Sequence, residues 1–389
     1  MAEDVLVPKE LAFSEAEYAR RLRLTREHME RVGLRCLLLF DPANTYYLAG
    51  QQSVNLWDYQ CLVVPVDSDP FLVLWEFELG RFLASSWLNR ACSYRTHEDP
   101  VAFTARALQE QGLLKDGIGI ELRSRYLPVR VYEQLREALP GIALKDGSGI
   151  VEAVRVVKSD EEIQVLRESA SITSRAMSAA LERVCEGALD QEIAAEAIRT
   201  LVSNGSEPAC IDPIVAVGSR AGLAHSTYNG TRLGRGDPAF IELGACVHRY
   251  TAPLMRTAIV GTPSQHLQGL AGTSVGAIDA MVNAIRPGIR ACDVARKGHE
   301  AISAIESEVV FHYVFGYSVG AGFPPSWLEE SNFYLRADNT QELRPGMVFH
   351  LPMTLRVFGR YGVGFSETVL VSENGCEVLT QVERRLVIR

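Results

Sequence analysis

Four islands in the second half of the sequence place polar side chains beside glycines and strand-like apolar runs. Turns at the ends of strands expose side chains, and binding and catalytic groups are often found there. The islands supply the histidine and glutamate side chains that general acid/base chemistry uses. They are LAHSTYNGTRLGRGD (223–237), FIELGACVHRYTAPLMRT (240–257), FGYSVGAGF (315–323), and GMVFHLPMTL with GVGFSETVLVSENG (346–355 and 362–375).

His225 is the candidate general acid/base of the first island. Histidine is the side chain whose ordinary pKa lies near neutrality, so it can both take and give a proton there. The structural alternative is a loop histidine that is hydrogen-bonded to the backbone.

Glu242 lies in the apolar run PAFIELGA, which reads as a buried strand. A carboxylate at such a position costs free energy unless it is paired or functional. We therefore expect Glu242 either to accept a hydrogen bond from a protonated substrate nitrogen or to form an inward ion pair with Arg249 or Arg256.

Glu367 and His350 are the candidates in the fourth island. Glu367 precedes an apolar strand and can orient a water molecule, hold a cationic ring, or form a strand-end salt bridge. His350 lies in an apolar strand, where it either points into a cavity near Glu242 as a substrate-binding group or is a hydrogen-bonded core histidine.

Three further residues are substrate-binding candidates. Tyr250 and Arg256 share the predicted strand pair of Glu242, and the alternative is a scaffold role in which Arg256 supports a carboxylate by a bidentate pair. Trp57, in NLWDYQ, offers an aromatic wall for a cation, and ordinary interface packing is the alternative.

Composition excludes several classes of function. The 389 residues carry 48 acidic and 39 basic side chains and no Lys/Arg block, so the attraction to phosphate on which nucleic-acid binders depend is missing. The apolar runs are far shorter than the roughly 20 residues that span a bilayer. The N-terminus, MAEDVLVPKELAF, has acids where a secretory signal is basic, so we expect a cytoplasmic protein without nucleic-acid or membrane partners. The eight scattered cysteines are interpreted as buried thiols.

The elements that position these residues divide the chain into two domains. Residues 1–155 alternate helical segments with short apolar strands, which is typical of an α/β domain. Residues 156–389 open on a long helix for which Ser159 is the expected N-cap. Helices predicted at 159–185 and 189–204, and again at 264–285 and 291–305, precede strand-rich stretches at 210–217 and 238–261, and at 309–314 and 346–371. A helix pair followed by strands, repeated once, predicts an α+β domain with an internal pseudo-repeat.

The order and spacing of the islands resemble the creatinase/aminopeptidase P/prolidase family, which is peptidase family M24. The resemblance covers nearly the whole chain and includes VRxxKSxxEI, ELGxxxxxYxxxxxRT, FGYxxG, RPGMVF and ETVLVSENGCEVLT. It implies a small N-terminal creatinase-like α/β domain (1–155) followed by a C-terminal pita-bread catalytic domain (156–389). It also implies a homodimer in which the N-terminal domain of one subunit, with Trp57, borders the partner's pocket.

Metal-dependent members of this family hold two metal ions with two Asp, one His and two Glu. The resemblance puts Glu242, Pro253, Val319, Pro352 or Met353, and Ser366 at those positions. One carboxylate and one hydroxyl supply too few oxygens for a pair of hard divalent ions. We therefore expect no catalytic metal and no other cofactor.

The pattern resembles the metal-free members of the family, ectoine hydrolase more closely than creatinase, because Met255 stands where creatinase has a Glu. This resemblance implies a metal-independent hydrolase that opens a non-peptide C–N bond of a small cyclic amidine or guanidino zwitterion such as ectoine or hydroxyectoine. Glu242 is then the nucleophile or cation anchor, His225 the general acid/base, and His225 or Glu367 the group that activates water.

Two departures favour a related but non-identical substrate. Val363 and Gly364 stand where the ectoine hydrolase pattern has an acid or polar residue, and the segment from Met353 to Arg356 lacks an aromatic that would enclose a cation. Three alternatives stay open: a metal-dependent Xaa-Pro-type peptidase, a lyase acting on a small onium compound, and a non-catalytic binding protein of the same fold.

Overall fold

A computed structural model describes residues 7–115, 117–329 and 333–389 of the chain. They fall into two compact units, Met1–Arg155 and Val156–Arg389. Each unit buries apolar clusters of its own. None of the described helices is both long enough and apolar enough to cross a membrane.

The first unit is built on one mixed sheet with the strand order β4-β3-β2-β1-β5-β6. Neighbouring residues of the central strand β1 belong to different clusters: Leu37 and Leu39 pack on one face, and Cys36 and Leu38 on the other. Because both faces are covered, the strand is an unbroken apolar run rather than an alternating one. The strands are β1 (Cys36–Leu39), β2 (Cys61–Pro65), β3 (Phe71–Trp75), β4 (Ala91–Tyr94), β5 (Ile118–Ile120) and β6 (Leu144–Asp146), and the helices are α1 (Glu15–Arg31), α2 (Pro42–Ala49), α3 (Leu79–Ser85), α4 (Pro100–Glu110), α5 (Val129–Ala138) and α6 (Ile150–Arg155).

The second unit contains four long helices, and two of them precede each group of strands. The helices are α7 (Asp160–Glu182), α8 (Asp190–Ser203), α9 (Gln265–Ala284) and α10 (Ala291–Ile302). The strands are β7 (Ile214–Val217), β8 (Pro238–Leu243), β9 (Cys246–Val247), β10 (Tyr250–Thr251), β11 (Leu254–Ile259), β12 (Gly316–Phe323), β13 (Ser326–Leu328), β14 (Tyr334–Leu335), β15 (Val348–Val357), β16 (Tyr361–Ser372), β17 (Gly375–Val378) and β18 (Val387–Ile388).

The predicted start of α7 is confirmed by its cap. The Ser159 side chain accepts a hydrogen bond from the Glu162 amide, and the Glu162 side chain accepts one from the Ser159 amide. This capping box satisfies two of the amide groups that a helix leaves unpaired at its N-terminus. The serine and glutamate of KSDEEI therefore fix where the second unit's first helix begins.

The predicted pseudo-repeat is confirmed by two separate cores. One lies between α7, α8 and the sheet β18-β11-β8-β7, and the other between α9, α10 and the sheet β17-β16-β15-β12-β10-β9. Hydrogen bonds from β11 connect the two sheets: the Met255 backbone amide donates to Ser366 Oγ at 2.6 Å, and Thr257 Oγ1 donates to the Gly364 carbonyl at 3.0 Å. The inner strands β8, β11, β15 and β16 are thereby brought close together.

The strand predicted at 309–314 was wrong. Ser303–Glu308 forms a 3₁₀ helix, Val310 makes only an isolated bridge to Arg356, and regular pairing starts at Gly316. Tyr313 has φ 56, and the Val314 amide donates to Nδ1 of His312 at 3.1 Å. A side chain that bonds its own backbone and a left-handed residue both interrupt a strand.

Candidate active site

Glu242 is a buried carboxylate on β8, with 8% of its surface exposed. Neither arginine proposed as its structural partner pairs with it: Arg256 forms an ion pair with Glu367, and Arg249 lies 3.7 Å from Glu207. Within residues 7–115, 117–329 and 333–389, its carboxylate accepts no hydrogen bond. Burial raises the pKa of Glu242 to about 7, and the positive charge of Arg356 opposes that rise. Such a carboxyl is poised to change charge near neutral pH.

Tyr317 and His350 form a hydrogen-bonded pair beside Glu242. They are direct cross-strand partners on β12 and β15, and the Tyr317 hydroxyl lies 2.7 Å from Nδ1 of His350. Nε1 of Trp327 donates to the same hydroxyl at 3.1 Å. Burial raises the pKa of Tyr317, and the negative charge of Glu242 adds to that rise, which places the phenol in the electrostatic neighbourhood of the carboxylate.

His350 is fully buried, and its second ring nitrogen, Nε2, has no hydrogen-bond partner among the described residues. Burial lowers the pKa of His350 to about 3, so the ring is neutral at physiological pH. The structural alternative of a satisfied core histidine therefore holds for Nδ1 but not for Nε2. A buried polar atom without a hydrogen-bond partner lowers the stability of the folded protein, and a bound molecule that forms the missing hydrogen bond removes this penalty.

His225 lies in the exposed loop after a 3₁₀ turn, Gly218–Gly222, and has φ 56. A left-handed conformation is uncommon for a residue with a side chain and points to a constrained loop. His225 is an electrostatic neighbour of His312, since partial burial, Arg356 and His225 together lower the pKa of His312. Arg356 therefore lies in the electrostatic neighbourhood of both His312 and Glu242.

Arg356, on β15, interacts electrostatically with Glu242 and is held by the loop of His225. Its Nη1 donates to the Ala221 carbonyl at 2.8 Å and to the Leu223 carbonyl at 3.3 Å. Its guanidinium carbon lies 5.2 Å from the centre of the Phe240 ring, and Phe240 is two residues before Glu242 on β8. The arginine thus connects the loop of His225 with the strand of Glu242.

Strand pairing and one hydrogen bond connect three of the positions that resemble the metal-binding positions of related enzymes, those of Glu242, Pro352 and Ser366. Glu242 pairs across the sheet with Met255, the Met255 amide donates to Ser366 Oγ, and Ser366 pairs with Pro352. Across the described ranges, no group of three or more His, Cys, Asp or Glu side chains is arranged to hold a metal ion. The donor set does not fit a pair of divalent ions, because one unpaired carboxylate provides too few oxygens.

The residue of β12 that faces Glu242 differs from the one expected. Val319 was expected at the position of the metal-binding His, and it is fully buried. Tyr317 lies two residues earlier on the same face of β12 and interacts with Glu242.

Glu367 and Arg256 form a buried ion pair, with Arg256 Nη2 2.6 Å from Glu367 Oε1. The Glu367 carboxylate also accepts a hydrogen bond from Thr380 Oγ1 and lies 3.4 Å from Arg384 Nε. Arg256 further donates to the carbonyls of Met255, Ser366 and Glu383. The contact between Arg256 and Glu367 is monodentate rather than bidentate. Together, these contacts match the strand-end salt bridge that was the structural alternative for Glu367. Its catalytic role stays a prediction.

Tyr250 and Trp57 lie in different surroundings. The Tyr250 hydroxyl donates to Glu162 Oε1 at 2.8 Å, so it binds the capping box of α7. Trp57, in the first unit, is 78% exposed. A pocket of about 340 Å³ in that unit is lined by other residues, among them Trp87 and Arg90. The roles proposed for Tyr250 and Trp57 in substrate binding stay predictions.

Four residues of this site were not candidates from the sequence: His312, Tyr317, Trp327 and Arg356. They reach Glu242 or His350 through strand register and a turn, neither of which a linear pattern specifies. The sequence could have identified Arg356 as a candidate, because this charged residue interrupts the apolar run of β15. It lies in the segment where the family pattern has an aromatic residue.

Two family models match the chain. The model described as Metallopeptidase family M24 matches residues 164–373, and the Creatinase/Prolidase N-terminal domain matches residues 21–157. The chain is 30% identical over 399 residues to the uncharacterized hydrolase/peptidase y4tM of Sinorhizobium fredii, covering 97% of this chain and 99% of that protein. It is 25% identical over 405 residues to the ectoine hydrolase of Halomonas elongata, and the match covers 99% of this chain and 100% of that protein.

Peptidases of the same group are also similar. The Xaa-Pro dipeptidase of Pyrococcus furiosus is 30% identical over 270 residues, which are 69% of this chain and 75% of that protein. Among solved structures, a recombinant prolidase from Thermococcus sibiricus superposes with a TM-score of 0.86 at 21% identity, covering 97% of this chain and 100% of the other. The second unit therefore has the pita-bread fold, and the first is a creatinase-type N-terminal domain.

Proposed function

The chain belongs to metallopeptidase family M24, and we propose that it is a metal-independent hydrolase that opens a C–N bond in a small cyclic amidine-type zwitterion. The observation that carries this proposal is Glu242: a buried carboxylate that accepts no hydrogen bond from the described residues, in the electrostatic neighbourhood of Arg356 and of Tyr317, which pairs with His350. A carboxylate in these surroundings is suited to a compact cation that supplies the missing donors.

The donor set supports metal independence. Pro253 and Pro352 have no side-chain ligand atom, and the Ser366 hydroxyl accepts the Met255 amide. The similarity to ectoine hydrolase, which extends over both domains, supports an amidine as the substrate class. The two departures at Gly364 and Arg356 continue to favour a relative of ectoine over ectoine itself.

In the proposed reaction, Glu242 is either the nucleophile or the anchor of the cationic amidine. As nucleophile, its carboxylate oxygen adds to the amidine carbon, one ring C–N bond breaks, and His225 gives a proton to the departing nitrogen. A water molecule, deprotonated by His225, then releases the carboxylate. One water is consumed, and the product carries one amide and one amine.

The Nε2–H group of His350 is the proposed donor to the substrate. The hydroxyl of Tyr317 receives a hydrogen bond from Trp327, and we propose that it gives its own proton to Nδ1 of His350. The neutral ring then carries its proton on Nε2, the atom without a partner among described residues. We propose that this group donates to the substrate or to the oxygen that forms at the amidine carbon.

Incubation of the purified protein with ectoine and with hydroxyectoine, followed by proton NMR of the ring, tests the proposal. Ring opening by the wild type, and its loss in Glu242→Gln, are expected. Glu373→Gln, which changes an exposed glutamate after β16, is the matched control and should keep full activity. Ring opening at the wild-type rate by Glu242→Gln would contradict the role of Glu242.

A peptidase is the second candidate, because the Xaa-Pro dipeptidase of Pyrococcus furiosus is 30% identical over two thirds of this chain. By the family resemblance, that activity needs carboxylates at Pro253, at Pro352 or Met353, and at Ser366, and a histidine at Val319. Hydrolysis of an Xaa-Pro dipeptide that depends on added Mn²⁺ or Co²⁺ would favour it over the amidine hydrolase.

The quaternary arrangement is part of the proposal. We expect a cytoplasmic homodimer in which the exposed Trp57 of one subunit borders the pocket of the other. Trp57→Ala should raise KM for a cationic substrate more than it lowers kcat, and sedimentation of the wild type should give twice the mass of one chain.

A further inference from the structure

We infer that Arg356 is the specificity residue that binds a carboxylate on the substrate, so that the ligand carries its cationic and anionic groups at opposite ends. The inference rests on the proposed function and names the residue that binds the acidic group of its zwitterionic substrate. The segment from Met353 to Arg356 then needs no aromatic side chain to enclose a cation, because its Arg356 guanidinium binds the anionic group of the substrate instead.

The contacts of Arg356 fix its position and leave donors available. Nη1 is used by the carbonyls of Ala221 and Leu223, and the guanidinium lies above the Phe240 ring. Nε and Nη2 donate to no residue in the part of the chain that the structure describes. A guanidinium that is held at one nitrogen and open at the other two presents the edge that a carboxylate binds in two places.

Arg356 has no carboxylate partner of its own. No ion pair joins it to an Asp or Glu of the described ranges, although its side chain is half-buried. A half-buried cation without a counter-ion loses hydration without compensation, and an incoming carboxylate supplies the compensation. Glu242 interacts with Arg356 electrostatically but does not form a hydrogen bond to it.

Arg356 and Glu242 lie close enough to interact electrostatically, which favours a small ligand between the two charges. Phe240, under the guanidinium, and Glu242 lie two residues apart on the same face of β8. Residues so placed are separated by roughly 7 Å along a strand. A single six-membered ring with a carboxylate on one side and an amidinium on the other is comparable in size with this spacing.

Binding at Arg356 also engages the acid/base loop. The Leu223 carbonyl, which accepts from Nη1, lies two residues before His225. A carboxylate at Nε and Nη2 fixes the guanidinium and, through its two carbonyl contacts, the loop that carries His225. A substrate without the carboxylate loses binding energy and this positioning together.

The test compares two rings, ectoine and 2-methyl-1,4,5,6-tetrahydropyrimidine, which is the same cyclic amidine without the carboxylate. Dissociation constants from calorimetry and ring-opening rates are measured for the wild type, Arg356→Met and Arg356→Lys. Arg360→Met, which removes an exposed arginine above Tyr361, is the matched control. We expect the wild type to prefer the carboxylated ring by 10- to 100-fold, Arg356→Met to lose that preference, and Arg356→Lys to recover part of it.

The possible results of this test distinguish a failure of the inference about Arg356 from a failure of the proposed function. An unchanged preference in Arg356→Met, with a cooperative unfolding transition like that of the wild type, overturns the inference. Selective binding of the carboxylated ring that depends on Arg356 but leads to no ring opening supports the inference and overturns the proposed reaction. Failure of the wild type to bind either ring overturns both.

Discussion

The hydroxyl of Tyr317 lies 2.7 Å from Nδ1 of His350, a fully buried histidine whose tautomer depends on the direction of this hydrogen bond. Trp327 donates to the same hydroxyl, and we propose that the phenol proton lies in the bond with Nδ1. Nε2 is then the protonated nitrogen, and it has no partner in the described ranges. Trp327, Tyr317 and His350 thus form a hydrogen-bonded chain, and its central residue, Tyr317, interacts electrostatically with Glu242.

Replacing Tyr317 with Phe removes the hydroxyl that is proposed to donate to Nδ1 of His350 and so to fix this tautomer. We expect kcat for amidine ring opening to fall about fivefold, with little change in KM, since one neutral hydrogen bond is worth about 1 kcal/mol. The nitrogen chemical shifts of His350 should change from one tautomer to a mixture. Tyr361→Phe breaks a similar contact, between Tyr361 and Nδ1 of His266 at 2.6 Å, and should leave both measurements unchanged.

The pH dependence of activity should report Glu242. Burial raises the pKa of Glu242 to about 7, and the carboxylate must be ionised to attack the amidine carbon or to bind the cation. We therefore expect kcat/KM to fall about tenfold for each pH unit below 7 and to level off above it. His350 should not contribute between pH 5 and 9, because burial lowers its pKa to about 3. A profile that is flat from pH 5 to 8 would exclude an essential ionised Glu242.

The same carboxyl should destabilise the fold at high pH. Its pKa of about 7 in the folded protein lies above the ordinary value of 4.5, so it favours folding below pH 4.5, and this contribution disappears as pH rises through 7. Glu242→Gln removes the ionisation. We expect its free energy of unfolding to exceed that of the wild type by up to about 3 kcal/mol at pH 8 and by much less at pH 5, measured by denaturant titration. A greater stability gain at pH 5 than at pH 8 would contradict the buried, unpaired carboxylate.

Two substitutions distinguish a structural role of Glu367 from a catalytic one. Arg256→Met leaves the Glu367 charge buried without its partner and should cost about 3 to 5 kcal/mol in stability. Glu367→Gln retains an acceptor for Arg256 and Thr380, and we expect a smaller loss of stability with turnover per folded molecule within about twofold of the wild type. If that variant folds as the wild type does and has lost turnover, Glu367 activates water rather than holding Arg256. Denaturant titration and ring-opening rates on the same samples distinguish the two.

The elements carrying Glu242 and His350 were predictable because each lies in a long apolar run whose burial is evident from local sequence. The Ser159 cap and the repeated helix pairs follow from equally local signals. The surroundings of these residues were not predictable: Tyr317 meets His350 only through the register of two strands that are more than thirty residues apart. A shift of one residue would turn either side chain to the other face.

The close packing around Gly364 could not be predicted from the sequence alone. A Cβ atom at this position would lie 2.3 Å from Cε2 of Phe240, so no polar side chain fits there while Phe240 supports Arg356. The small residue on β16 and the arginine on β15 therefore belong to one packing arrangement. A packing relationship of this kind between two strands can be recognised only when the positions of both strands in the fold are known.

The central claim is that this member of the family opens an amidine ring without a metal ion, and one measurement tests it most directly. Protein dialysed against a chelator, with its metal content determined, is incubated with ectoine in water enriched in ¹⁸O, and the product mass is followed over time. We expect turnover equal to that of untreated protein and a ring-opened product that has gained one labelled water. Activity that disappears with the metal and returns with Mn²⁺ or Co²⁺, or a product formed without gain of water, would contradict the account.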